Sequence, residues 1–351
     1  MAARQTAPVI GALCTVADHD QKASAEDKDA SSDFSDIPDS DKLTIRNAPR
    51  PHLWTISVGY RYQPSSRHFI GTVEQKQREL THNQIQNIYH LFDISIERQL
   101  TRRWSVDASL PLLYATRNQL YAPKGLYTVV GQGDATVGAR YWIFRPPTEN
   151  GGNIQMGFNL KLPTGIYNAT GHALDAKGNP IVATADQSIQ AGDGRTGFSL
   201  DIQAFHPAPF NTMLYFTGVY LFNPADTNGV ATFRKAPGEQ YMSVTDQYLY
   251  RGGISWAVRG VRGLAVTMGG RMEGVPVRDA FGKSDGFRRP GYAIDGDPGF
   301  MYARWGYIFS CNVPWAIERN RRRSVPDIAN HTHGDAAFAD YALILSMSRS
   351  F

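Results

Sequence analysis

From residue 53 onward, apolar and polar positions alternate with a period of two. Trp54, Ile56, Val58, Tyr60 and Tyr62 alternate with Thr55, Ser57, Gly59 and Arg61. Successive side chains of a strand point to opposite faces, so this run predicts a strand with one aromatic, apolar face and one small or polar face. The pattern returns over 137–143, 154–162, 198–204 and 341–347, and no helical periodicity of comparable strength occurs.

The connections between such segments alternate in length. Short ones fall near 101–103, 146–152, 206–211, 259–263 and 304–306, and long ones near 63–87, 115–132, 165–195, 223–246, 275–290 and 320–337. The chain therefore reads as about twelve strands, each near the ~10 residues a tilted strand needs to cross a bilayer. Pro111, Pro163, Pro224, Pro276 and Pro314 fall near the far ends of ascending segments. A proline is tolerated there because the ladder ends or bulges.

The polar face decides which solvent it meets. It carries Arg61, Arg140, Lys161, Arg251 and Arg271 with Asp93, Glu97, Asp107, Asp201, Glu273, Asp295 and Asp297. Sealing these in a dry core would cost several kcal/mol per unpaired ion. About twelve strands also enclose more space than side chains readily fill. The prediction is an all-β, closed, antiparallel up-and-down transmembrane β-barrel over residues 52–351, with this charged set lining an aqueous lumen. Closure pairs every strand N–H and C=O, which hydrocarbon requires. Trp54, Tyr62, Trp104, Tyr114, Trp142, Tyr167, Tyr220, Tyr248, Trp305 and Trp315 stand near strand ends and are expected to form interfacial girdles.

Composition fits this reading. A content of 42% hydrophobic and 19% charged residues suits a wall in which only one position in two faces lipid. No stretch of 18 apolar residues predicts a spanning helix, and Cys14 and Cys311 are too few for a disulfide scaffold or zinc site. Residues 1–17 carry Arg4 and a weak apolar run, the outline of a poor leader. Residues 18–42 hold nine acids against Lys22, Lys28 and Lys42, so residues 1–51 are expected to be a leader-like start and a solvated acidic tail. The whole chain is +4, which leaves the part outside 18–42 at +10. No cluster of Lys and Arg interleaved with aromatics marks a nucleic-acid surface. Gly131-Gln-Gly-Asp134 lacks the helix and Lys-Ser/Thr of a phosphate loop and is expected to be a barrel-mouth turn; Gly192-Asp-Gly194 is likewise a turn.

The chain ends in an alternating strand closed by Phe351. This resembles the C-terminal signature of Gram-negative outer-membrane β-barrels, which implies recognition by the outer-membrane assembly machinery. Gly131-Gln-Gly-Asp134 with Gly138 and Tyr141, Leu162-Pro-Thr-Gly165, Ser324-Val-Pro-Asp327 and His333-Gly-Asp-Ala-Ala-Phe-Ala-Asp340 resemble an outer-membrane family of phenol meta-pathway degradation or "transporter" proteins. That resemblance covers residues 53–351. It implies a porin-like transporter or channel in the bacterial outer membrane, for small aromatic or hydrophobic compounds.

If the barrel is a conduit, its mixed-sign lining sets no strong single-sign filter. The alternative is that these charges pair across the lumen and close it, leaving a structural or ligand-binding barrel that works through its extracellular loops. The last long loop holds Arg321, Arg322, Arg323, Asp327, His331, His333, Asp335 and Asp340. His331, His333 and Asp335 are of the type that binds zinc or copper. The simpler reading, preferred here, is a hydrated loop whose arginines pair with its carboxylates or with lipopolysaccharide. In it Asp335 and Asp340 fold back toward the three arginines. His90 and scattered serines form no nucleophile–base pattern, so no catalytic site and no cofactor are expected.

Overall fold

The computed structural model describes residues 54–118, 125–144, 151–175 and 177–351. The expected leader and acidic tail lie outside the described residues. In chain order the elements begin with β1 (Trp54–Ile70), β2 (Val73–Glu74), α1 (Gln77–Leu80), β3 (Asn87–Gln99), β4 (Trp104–Asn118), β5 (Leu126–Gln132), β6 (Thr136–Trp142) and β7 (Asn153–Lys161). There follow β8 (Thr170–Leu174), β9 (Pro180–Thr184), a 3-10 turn (Gln187–Ile189), β10 (Gly197–Ala208), β11 (Thr212–Phe222), β12 (Thr227–Ala231), β13 (Tyr241–Ser243), β14 (Gln247–Ala257) and β15 (Leu264–Val275). The chain finishes with β16 (Gly291–Gly296), β17 (Gly299–Arg304), β18 (Tyr307–Asn312), β19 (Trp315–Arg321), α2 (Val325–Ala329), β20 (Ala336–Ala339) and β21 (Leu343–Ser350).

These build a closed barrel of twelve antiparallel wall strands among the described residues. Eight walls are single strands (β1, β3, β4, β7, β10, β11, β14, β15), and four are broken in two: β5 with β6, β16 with β17, β18 with β19, β20 with β21. The breaks fall where the ladder cannot continue, at Gly133–Ala135, at Asp297-Pro298, at Val313-Pro314 and at Asp340–Ala342. The first and last walls close the cylinder. β1 pairs with β21 from Thr55↔Ser350 to Tyr62↔Leu343 and with β20 from Ser65↔Ala339 to Phe69↔Ala336. At the seam's short-turn end the Phe351 N–H donates to the Trp54 carbonyl at 2.8 Å. No open edge remains along this seam to expose backbone groups to lipid.

The faces divide as the alternation predicts. Ile56, Val58, Phe92, Ile94, Met156, Phe158, Leu200 and Met347 are exposed on the outside, whereas Ser57, Arg61, Gln155, Asn159, Ser199, Asp201 and Gln203 are buried inside. Outer aromatics stack along the wall, as in Phe158–Phe198–Phe222 (5.9 and 4.8 Å between centroids) and Tyr220–Tyr248. His90 joins this outer layer: its Nδ1 lies 2.9 Å from the Tyr60 hydroxyl.

The structure corrects several boundaries. β1 runs to Ile70 rather than ending near residue 63, β4 to Asn118 rather than 115, and β5 begins at Leu126 rather than 132. Walls of 17, 13 and 15 residues rise beyond bilayer thickness on this side and shorten the loops. Two long loops hold hairpins of their own, β8–β9 and β12–β13. Gly131-Gln-Gly-Asp134 is not a mouth turn. It ends β5 and opens the break before β6, opposite Pro111, whose carbonyl accepts from Gly133 N at 2.8 Å.

Candidate functional site: a chamber above a filled lumen

The lumen is layered. At the short-turn end Phe205 and Met301 are buried against each other, with Trp142, Met213, Ala265 and Ile308 packed around them. These residues come from six wall strands, so the apolar set stretches across the interior. Trp142, expected in the interfacial girdle, instead turns its ring onto Phe205 at 5.9 Å between centroids.

The next layer is a belt of paired charges. Arg61 on β1 donates to Glu273 on β15, although three walls separate these strands, so the pair spans the interior. Glu273 also accepts from Arg271 Nη2 at 2.8 Å. Arg251 pairs with the fully buried Asp297. On the opposite wall Arg140 Nε donates to Asp107 at 2.9 Å and Nη2 stands 3.9 Å from Asp201. Asp201 further accepts from Asn159 at 2.7 Å. Lys161 pairs with Asp193, and Asp134 lies 4.0 Å away. Of the expected lining set, Arg61, Asp107, Arg140, Lys161, Asp201, Arg271, Asp295 and Asp297 are buried, and Asp93, Glu97, Arg251 and Glu273 are half-buried. Removing charges from bulk water is tolerable because nearly all meet a partner of opposite sign.

Above the belt, toward the long loops, lies a cavity of about 1060 Å³. Arg61, Asp93, Lys161, Glu273 and Asp295 contribute to its lower wall. Apolar side chains on the polar phase of the alternation form much of the rest, among them Leu91, Tyr89, Tyr127, Val219, Leu249 and Val275. The loop after β9 folds inward to support this wall, with Ile189 fully buried against Leu91, Leu113, Ala115 and Val129. Asp186 caps the 3-10 turn that holds it, its Oδ1 accepting from Ser188 N at 2.9 Å. Tyr341, assigned to the outer face by the alternation, also borders the cavity beside the break between β20 and β21.

Three sequence motifs converge beneath that inward loop. Asp134 accepts from the backbone N–H groups of Gly165 and Asp193, both at 2.9 Å. Gly165 is needed here, since a Cβ would stand 2.7 Å from the Gly133 carbonyl carbon. The glycine-rich segments at 131–134, 162–165 and 192–194 therefore anchor the inward loop.

Around the cavity's upper wall sit arginines that sequence reasoning missed. Arg289 grips Asp186 with two hydrogen bonds of 2.8 Å, and Arg117 Nη2 stands 3.5 Å from the same carboxylate. Arg234 and Arg289 both lie over the Phe287 ring, at 4.5 and 4.6 Å. Burial pushes the Asp186 carboxyl up, but Arg289 and Arg117 more than offset it and hold the group well below the usual carboxylate range. Burial and the Arg289 charge push the Arg234 guanidinium down.

The last loop departs from expectation. Asp335 meets His68 Nδ1 at 2.9 Å and Arg78 Nε at 2.5 Å, while Asp340 pairs with Arg67 and Arg319. Neither reaches the three successive arginines. The carboxylate that does is Asp327, 3.0 Å from Arg321, and it also closes a capping box with Ser324 at the start of α2. Arg322 is exposed, and Arg323 donates to the Thr332 and Asp327 carbonyls. His333 bonds the Arg321 carbonyl at 2.7 Å and His331 points to solvent, so His331, His333 and Asp335 are not brought together as ligands. Among the described residues no group of three metal-ligating side chains occurs.

No family model matches the chain, and no curated relative does. The fold superposes on the crystal structure of the COG4313 outer membrane channel from Pseudomonas putida F1 with a TM-score of 0.61 at 11% identity, over 91% of this chain and 100% of that one. The β-domain of the Bordetella autotransporter BrkA gives 0.47 at 12% identity, over 85% and 100%. The Pseudomonas putida toluene transporter TodX gives 0.44 at 10%, over 88% and 91%.

Proposed function

We propose that this chain is an outer-membrane transport barrel of Gram-negative type that takes a small, largely apolar solute into its chamber and passes it by gated movement. The observation that carries the reading is the chamber of about 1060 Å³, bordered by wall strands and the inward loop and lined by Tyr89, Leu91, Tyr127 and Leu249. Pockets of this size and lining suit compact organic molecules. The charged lining set, from Arg61 to Asp297, acts in this account as a hydrated barrier that yields to pass a solute. The similarity in sequence motifs to phenol meta-pathway outer-membrane proteins points the same way, toward aromatic or hydrophobic cargo. The aromatic outer face meets lipid and lipopolysaccharide, and the strand ending at Phe351 is the segment that the assembly machinery reads. Residues 1–51 are read as leader and acidic tail.

The filled belt and the Phe205–Met301 layer favour a second reading, a closed binding barrel whose loops do the work. Liposome swelling with small aromatic solutes of graded size, each corrected for protein-free liposomes, separates the two. Transport predicts slow swelling limited to the smallest of them. A folded, heat-modifiable protein that admits none of them identifies the closed barrel.

A further inference from the structure

The upper chamber wall holds more cation than its acids use. Arg117 and Arg289 reach one carboxylate, Asp186, and Arg234 shares the Phe287 ring with Arg289 beside it. Arg289 takes both carboxylate oxygens, which leaves Arg117 at 3.5 Å and its other hydrogens on the neutral Asn87 and Ser188, at 2.7 and 3.2 Å. Arg234 has its nearest acid, Glu239, at 3.7 Å, beyond hydrogen-bond distance, and its buried Nε has no hydrogen-bond partner among the described residues. Two guanidinium groups crowd one Phe287 ring, an arrangement that like-charge repulsion opposes. All three arginines line the chamber. A guanidinium fork matches a carboxylate in shape and charge, and such a pair is strongest when desolvated beside apolar surface.

We propose that Arg117 and Arg234, steadied by Arg289, bind the carboxylate of an amphipathic organic acid whose apolar body lies on Tyr89, Tyr127 and Leu91. This deepens the transport reading by naming the class of cargo. The anion relieves the repulsion among the three arginines and supplies the acceptor that Arg234 lacks. Because these groups face the chamber, the site selects among molecules already inside the barrel. A neutral molecule of equal size gains the apolar contact alone.

The test is equilibrium calorimetry on the full chain folded into lipid nanodiscs, with 4-phenylbutyrate and 4-phenylbutanol as matched probes. The carboxylate is expected to bind about tenfold more tightly than the alcohol, one charge-assisted contact in fold-change terms. Arg234→Gln should bring the two within about threefold while leaving the alcohol's affinity unchanged. Arg322→Gln, at an exposed position away from the chamber, should keep the full difference, and unboiled gels verify that each variant is a closed barrel. Equal affinity of the two probes for the natural chain overturns this inference and leaves the transport reading intact. A carboxylate preference that survives both Arg234→Gln and Arg117→Gln overturns it as well. Failure of both probes to bind removes the chamber as a ligand site and takes both readings with it.

Discussion

Asp335 sits between two side chains from the opposite end of the chain, the His68 imidazole and the Arg78 guanidinium, and so ties the last loop to the first. Burial pushes its carboxyl up, but the His68 hydrogen bond and the Arg78 guanidinium bring it down to about 2. A carboxylate whose folded value is depressed stabilises the fold fully above its ordinary value near 4, and that contribution disappears as pH falls through about 2. Pepsin digestion should therefore spare residues 322–335 at pH 4 and cut there about fivefold faster at pH 2, after normalising to Asp335→Asn, which is open at both. Equal protection at the two pH values would show that the tie does not hold the loop. A similar logic applies to Asp327, whose Oδ2 accepts from Arg321 and from the Ser324 N–H that opens α2, while its Oδ1 accepts from the Gly334 N–H at 3.2 Å.

At the scale of elements, the strands were legible because membrane and lumen impose opposite demands on alternate positions. Ile154 to Lys161 can be read residue by residue, and the structure places each side chain on the face its polarity requires. Where the lumen is not wet, the rule fails in an informative way. Phe205 and Met301 share the phase of Asp201 and Ser310, and Leu91 that of Asp93; an apolar residue on the polar phase marks where the interior is filled. That signal was present in the sequence. The arginine cluster was not, since Arg117, Arg234 and Arg289 come from three separate loops or strand ends, and only the inward fold of Asp186 and Ile189 unites them. Turns were legible in position and are strict in geometry. Gly263 closes the β14–β15 hairpin at φ +79°, and a Cβ there would stand 2.0 Å from the Ala303 carbonyl oxygen. Gly263→Ala should therefore cost about 1–3 kcal/mol, read as a lower urea midpoint for unfolding from detergent micelles. An unchanged midpoint would mean that the turn relaxes without disturbing the neighbouring wall.

Across the whole molecule the interior is stratified: chamber, charge belt, apolar layer. Charges that span the barrel, as Arg61 and Glu273 do, brace its walls while leaving polar gaps that water can fill. The Phe205–Met301 layer is different, because an apolar constriction blocks ions by shedding water. On the transport reading it is the resting seal, and the layer whose loss should convert a gated barrel into an open one. Single-channel recording in planar bilayers tests this directly, comparing the natural chain with Phe205→Ala/Met301→Ala. The stratified lumen predicts brief, rare openings for the natural chain and sustained current, about tenfold greater on average, for the double variant. A natural chain that conducts steadily, with a current the substitutions leave unchanged, would contradict it.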